Sequence, residues 1–198
     1  MKKIQNILNN SEELVFNNLP NKSYNVDGKL LWESRSVAVA GVVFAWKIGD
    51  DYPHVLVSKR GVNSADFQGK MNLTCGYIDF SETATEAMIR ETWEETGLNL
   101  KSILESKDVD KIEHMNQPWN VNSSPYANRQ NITLRFGLCF AIDKDDDFPL
   151  LSVDNNEVVG EVEDPKWIKF DEINNYEWAF GHDKVIEEYL ELIINMNH

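Results

Sequence analysis

The stretch GYIDFSETATEAMIRETWEETGL, residues 76–98, specifies a helix at both of its ends and then breaks the rules for one in between. Thr83 and Glu86 have the spacing of a capping box, and Gly97 is placed as the left-handed residue after the last turn. Together they predict a helix from about Thr83 to Thr96. At 100° per residue Ala84, Ala87 and Met88 make one apolar stripe. Glu91 and Glu95 fall on the continuation of that stripe, with Glu94 at its side. Carboxylates there face the negative end of the helix dipole, at roughly 0.3–1 kcal/mol each, and repel one another at i,i+3 and i,i+4. A solvated acidic face leaves the interrupted core stripe unexplained. A set of hard oxygen donors for Mg²⁺ or Mn²⁺ explains it, because the cation reverses the local electrostatics. Several local rules broken in one place mark a functional site.

Outward from this helix, the pattern predicts strands on both sides. Lys29 to Glu33 and the β-rich run Val37 to Ile48 read as extended, with His54 to Lys59 pairing beside the latter. A polar loop, Gly61 to Lys70, leads to a strand near Met71 to Ile78. Beyond the helix, Leu98 to Pro118 is expected to hold a strand, a turn around Lys107 to Asp110 and an extended piece from Lys111 to Asn116. Trp119 to Gln130 reads as a loop, Ile132 to Ile142 as a strand, Lys144 to Asn156 as an acidic loop and Glu163 to Phe170 as a strand. Asp183 to Met196 is an amphipathic helix that buries Val185, Ile186, Tyr189, Leu190, Ile193 and Ile194. A short helix from Ser11 to Asn18, capped by Ser11, is expected near the start. This order predicts an α/β or α+β fold with a mixed sheet between helices.

A chain of 198 residues buries one core economically, so a single domain is expected, residues 1–33 forming an N-terminal extension and 34–197 the core. The net charge of −14 repels a phosphate backbone, which argues against nucleic acid as a partner. A small phosphorylated ligand stays compatible if metal ions carry the positive charge. No continuous apolar run is long enough for a bilayer, and MKKIQNILNN lacks a signal-peptide core. The only cysteines, Cys75 and Cys139, lie in expected strands without metal-site spacing, which suits two buried thiols and a cytoplasmic setting.

Gly76, five residues, Glu82, seven residues, then Arg90-Glu91-Thr92-Trp93-Glu94-Glu95-Thr96-Gly97-Leu98 resembles a complete Nudix box, the signature of the Nudix hydrolase superfamily. Thr92 is a departure, standing where that family usually has an aliphatic residue. The resemblance implies an α/β/α sandwich with the box as a loop-helix-loop. It also implies metal-assisted attack of water on the phosphorus of a nucleoside diphosphate linked to another group. On the same ground Glu91, Glu94 and Glu95 are metal ligands, with Glu91 also a candidate base. Gly76 lends a backbone carbonyl to the metal, Arg90 holds a glutamate by a charge-assisted bond, and Glu82 ties the loop to the helix.

The base is left open by the box, since members of the family also recruit a later glutamate. Glu157, Glu161 and Glu163 are the candidates, Glu161 the favoured one. Asn116-Gln117-Pro118-Trp119 is similar to part of a sequence in the family's NADH pyrophosphatases, and Trp178 to His182 to the aromatic-histidine helix entry of ADP-ribose-type members. His182 is itself expected to make a local hydrogen bond at that helix entry. Trp119 or Tyr126 would stack on a base, and Arg129 or Arg135 would meet a phosphate. An NAD(H)- or ADP-ribose-like dinucleotide is the expected substrate. The alternatives are a nucleoside triphosphate pyrophosphohydrolase and a non-catalytic nucleotide-sensing module of the same fold. The resemblance also admits a homodimer.

Overall fold

Alternation along the apolar strands decides which helix covers which face of the sheet. The computed structural model describes residues 22–33, 36–123, 131–155 and 158–196. In strand β3 (Ser36–Lys47), Val39, Val43 and Ala45 pack into one cluster, while Val42 and Phe44 pack into another on the opposite face. Strand β9 (Asn131–Ile142) repeats the pattern, with Phe136, Leu138 and Phe140 on the first side and Cys139 on the second. Side chains that alternate in this way need cover on both faces. Each fully buried Val or Phe contributes about 1.5–3 kcal/mol relative to exposure.

The cover comes from three helices. Helix α1 (Ala84–Thr96) and the short α2 (Leu100–Glu105) close the first face through Ala87, Met88 and Leu100. Helix α3 (His182–Met196) closes the second through Val185, Ile186, Tyr189, Leu190 and Ile193. Two glycines let the helices approach. A Cβ on Gly41 would stand 2.7 Å from the Met88 sulfur, and one on Gly137 would stand 2.1 Å from the Tyr189 ring.

The sheet runs β10-β4-β3-β9-β7, built from β10 (Val162–Lys169), β4 (His54–Arg60), β3, β9 and β7 (Lys111–His114). Among the pairings between described strands only the central β3–β9 pair is parallel, from Ser36↔Asn131 to Lys47↔Ile142. Strand β3 pairs with β4 at Phe44 and Ala45, then with β6 (Thr74–Tyr77) at Ala38 to Gly41. That change of partner opens the sheet beside the start of the box. The two-residue β5 (Met71–Asn72) lies on β4, and β8 (Asn120–Ser123) lies on β9. The result is the expected mixed-sheet α/β architecture with helices on both faces.

Contacts divide the chain into two units between residues 34 and 35. In the first, β1 (Lys22–Val26) and β2 (Lys29–Glu33) form an antiparallel hairpin turned by Asp27 and Gly28, both at positive φ. The second holds the eight-stranded sheet and the helices.

Several expectations need correction. Leu98 to Pro118 begins with helix α2, since the Asn99 side chain accepts from Ser102 N–H and caps a first turn that propensity alone leaves ambiguous. The expected Met71 to Ile78 strand is interrupted at Leu73, and the expected loop after Trp119 contains β8. Ile194 is exposed, one step off the stripe of α3. The expected Ser11 to Asn18 helix lies outside the described residues.

Candidate functional site

Helix α1 is capped as its sequence requires. The Thr83 side chain accepts from Glu86 N–H at 3.2 Å, and the Glu86 carboxylate accepts from Thr83 N–H at 2.7 Å. Gly97 closes the other end at φ 70°, its N–H donating to the Trp93 carbonyl. With both ends fixed, the last two turns aim Glu91, Glu94 and Glu95 toward β6.

These carboxylates line a cleft of about 230 Å³ together with Gly76, Tyr77, Arg90 and Glu161. Gly76 stands against Glu91, whose Oε1 would be 2.0 Å from any Cβ at that position. Glu95 is only 7% exposed and accepts from Cys75 N–H at 3.3 Å. Glu161 comes from the segment before β10, on a different wall from α1. Its carbonyl accepts from Gly61 N–H and from the Ser64 hydroxyl.

Arg90 is the hub of the box. Its guanidinium donates to Glu82 through Nε and Nη2, to Glu91 and Glu94 through Nη1 at 2.9 Å each, and to the Tyr77 carbonyl. Glu82 also accepts from Asp79 N–H at 2.7 Å, so it joins the loop to the helix through Arg90. The hydrogen bond from Arg90 holds the Glu82 carboxyl below its ordinary range.

Burial has the opposite effect further in. It pushes Glu91 up to about 7 in spite of Arg90, and it raises Glu95 well above the usual range, with Glu91 adding to the effect. Burial also drives the Cys75 thiol up to about 12, so Cys75 is an unreactive thiol in the cleft wall.

Charge in the cleft is therefore unbalanced. One arginine is shared by Glu82, Glu91 and Glu94, while Glu95 and Glu161 add further carboxyl groups to the same cleft. Among the described residues no three His, Cys, Asp or Glu side chains already converge as a closed metal cage. Arg90 Nη1 instead holds Glu91 and Glu94 on itself. The donor set is all oxygen, crowded, partly buried and short of positive charge, which fits a hard divalent cation such as Mg²⁺ or Mn²⁺.

Thr92 occupies the apolar position within the box. It is fully buried, and its hydroxyl donates to the Met88 carbonyl at 2.8 Å, so the helix itself satisfies the extra polar atom.

The other site expectations divide. Trp119 and Arg135 come together, the guanidinium 6.0 Å from the indole ring, on the face covered by α3. Trp119 donates to the Phe136 carbonyl, and Arg135 pairs with Glu188 at 2.9 Å. Neither is among the residues lining the carboxylate cleft. Glu163 pairs with Lys59 at 3.8 Å. Tyr126, Arg129 and Glu157 lie outside the described residues. His182 opens α3 and its N–H bonds locally to the Ala179 carbonyl at 3.1 Å, as expected, while its Nδ1 reaches further and accepts from Leu73 N–H, between β5 and β6, at 3.1 Å.

A model of the NUDIX domain matches residues 35–189, more than half of the chain. The chain belongs to the Nudix superfamily. A curated relative, Nudix hydrolase 3 of Caenorhabditis elegans, is 28% identical over 93 residues, or 47% of this chain. The match spans 39% of that relative's length. The fold agrees with the NUDIX domain of Shewanella oneidensis NrtR, complexed with ADP ribose, at a TM-score of 0.55 and 20% identity. That match covers 81% of this chain and 90% of the other. The Nudix hydrolase RenU of M. Smegmatis superposes at 0.55 with 15% identity, covering 87% and 94%. A bifunctional NMN adenylyltransferase/ADP ribose pyrophosphatase from Francisella tularensis gives 0.55 at 20% identity, covering 80% and 41%.

Proposed function

We propose that this protein is a divalent-cation-dependent hydrolase that cleaves the pyrophosphate bond of a nucleoside diphosphate joined to a second group, with an NAD(H)- or ADP-ribose-like compound as substrate. One observation carries the reading. The box carboxylates Glu91, Glu94 and Glu95 share a single cleft with Gly76 and with Glu161 from a separate segment. Fold neighbours named for, or solved with, ADP-ribose give the substrate reading its direction.

Glu91, Glu94, Glu95 and the Gly76 carbonyl would hold Mg²⁺ or Mn²⁺. When bound, the cation supplies charge neutralisation for the diphosphate and polarises the phosphorus centre. The protein's own groups do the rest. Arg90 is the counter-charge that keeps Glu82, Glu91 and Glu94 together in the absence of a ligand. Glu82 fixes the loop that presents Gly76. Glu161, which lines the cleft from its own wall, would accept the proton of the attacking water, leaving the helix carboxylates to their cation. Trp119 and Arg135 remain proposed contacts for the parts of the substrate beyond the diphosphate.

A panel of nucleoside diphosphate derivatives and nucleoside triphosphates, assayed with Mg²⁺ or Mn²⁺ in ¹⁸O water, tests the reading. The expected products are two monophosphates, one carrying the label, from an adenosine diphosphate-linked compound. Activity confined to triphosphates, or no turnover of any member, overturns it.

A further inference from the structure

Two phenylalanines outside the cleft hold backbone conformations that phenylalanine ordinarily avoids. Phe67, in the loop from β4 to β5, has φ 51°, and Phe180, in the turn into α3, has φ 57°. Glycine or asparagine would occupy either turn with less strain, so the ring at each position calls for a reason other than the turn. Core packing does not supply one, because Phe67 is 43% and Phe180 44% exposed and neither belongs to a core cluster.

The two rings nevertheless meet edge to face, their centroids 4.8 Å apart. The Arg60 guanidinium lies over Phe180 at 5.2 Å, and the Lys70 ammonium over Phe67 at 5.9 Å. Arg60 is 8% exposed and is held by two 2.8 Å bonds to Asp66, the residue before Phe67. The Phe180 turn is fastened to β5 by Met71 N–H to the Glu177 carbonyl and by Ala179 N–H to the Met71 carbonyl. The pair is half-open, with a cation over each ring, Arg60 itself paired with Asp66 at 2.8 Å and Lys70 with Glu177 at 3.5 Å.

Its position links it to the cleft. Arg60 sits opposite Val162 in the β4–β10 pairing, and Val162 lines the cleft next to Glu161. Ser64, in the loop that carries Phe67, bonds to the Glu161 carbonyl. Resting on the nucleotide reading above, we infer that Phe67 and Phe180, backed by Arg60, form a stacking platform for the planar base of the substrate while its diphosphate lies on the carboxylates. Every base presents a π-face, so such a platform selects for a base over none and tolerates exchange among bases.

The test uses nucleoside monophosphates, which have no pyrophosphate bond to cleave. Binding of AMP, GMP, CMP, UMP and ribose 5-phosphate to the full chain is measured by calorimetry with Mg²⁺. At least one monophosphate should bind about 10-fold more tightly than ribose 5-phosphate. Phe67→Asn and Phe180→Asn, whose side chains suit the left-handed backbone, should reduce that ratio to about threefold or less while ribose 5-phosphate binding stays unchanged. Phe180→Leu, which keeps bulk and backbone but removes the π-face, should do the same, and thermal melts confirm that each variant is folded. A wild-type protein without preference for the base, or variants that keep the preference, overturns the platform. Turnover of the diphosphate panel is scored separately, so an inactive enzyme that still discriminates for the base sinks only the hydrolase reading.

Discussion

Gly76 and Glu91 are in contact across the cleft so closely that a single methyl group has no room between them. A Cβ on Gly76 would lie 2.0 Å from Glu91 Oε1 and 2.2 Å from its carboxyl carbon. Gly76 is not among the positive-φ glycines, so space rather than backbone freedom demands glycine there. Gly76→Ala should push the Glu91 carboxylate out of the cleft. Displacing a catalytic group by about 1 Å costs on the order of 100-fold in rate, so kcat should fall by about that factor. The overpacking should cost roughly 1–3 kcal/mol of stability in denaturant titrations. Wild-type kcat in a folded Gly76→Ala variant would contradict this view of the site.

Glu91 also links stability to pH. Burial lifts its carboxyl from 4.5 to about 7, so the folded chain keeps a proton that the unfolded chain releases near 4.5. The stability that this group contributes to the metal-free protein is therefore complete below about pH 4.5 and is lost as pH rises through about 7. The loss from this group is about 3 kcal/mol at 1.36 kcal/mol per pH unit. Urea titrations in EDTA of the wild type and Glu91→Gln at pH 4.5 and 7.5 read it by difference, the fall between the two values being smaller by about 3 kcal/mol in the variant. Mg²⁺ at a hundredfold excess over its Kd should restore about 2.7 kcal/mol to the wild type. A Glu91→Gln variant with the same pH dependence as the wild type would show that the carboxyl is not buried against its ionisation.

The box was legible because its information is local. Thr83, Glu86 and Gly97 fix the ends of α1 with side chains and a backbone conformation that neighbouring residues supply, and the structure reproduces all three. The long strands β3 and β9 were legible for a related reason, since their apolar runs exceed what an exposed segment carries. Strand β8, with the sequence NVNS, carries no such run and exists through its ladder to β9, from Asn120↔Arg135 to Ser123↔Ile132. Helix α2 buries only Leu100, too little for a periodic signal. Phe180 lies in the Trp178 to His182 stretch singled out above, but its pairing with Phe67 was hidden for a different reason. Positive φ at a phenylalanine is imposed by tertiary contacts and leaves no mark in composition. The bond between His182 and Leu73 spans 109 residues and was equally beyond local reading.

That bond has a pH signature opposite to the one from Glu91. Burial drives His182 down to about 3 from 6.5, and its Nδ1 must stay unprotonated to accept from Leu73 N–H. The stability that it contributes is complete above about pH 6.5 and is lost as pH falls toward 3. At pH 4.5 the loss is about 3 kcal/mol by the same conversion. His182→Gln offers an accepting oxygen that does not titrate. The fall in stability between pH 7 and 4.5 should shrink in that variant by about 2–3 kcal/mol, measured by urea titration at both values. An unchanged pH dependence would mean that His182 is protonated in the fold.

Glu161 and Glu91 are the two candidates for the base, and their environments separate them. Glu91 is bonded to Arg90 and lies against Gly76, so it is committed to the box and to any cation held there. Glu161 faces the same cleft from the segment anchored on Gly61 and Ser64. A base that acts on water without holding the cation can be neutralised with little effect on cation binding. Glu161→Gln should therefore lower kcat by about 100-fold to 10,000-fold and leave the Kd for Mg²⁺ within about threefold of wild type. Glu91→Gln should weaken Mg²⁺ binding as well as turnover, because it removes a ligand. Single-turnover kinetics paired with Mg²⁺ calorimetry on both variants decides the matter. Wild-type kcat in Glu161→Gln, with turnover abolished in Glu91→Gln, would transfer the role of base to Glu91.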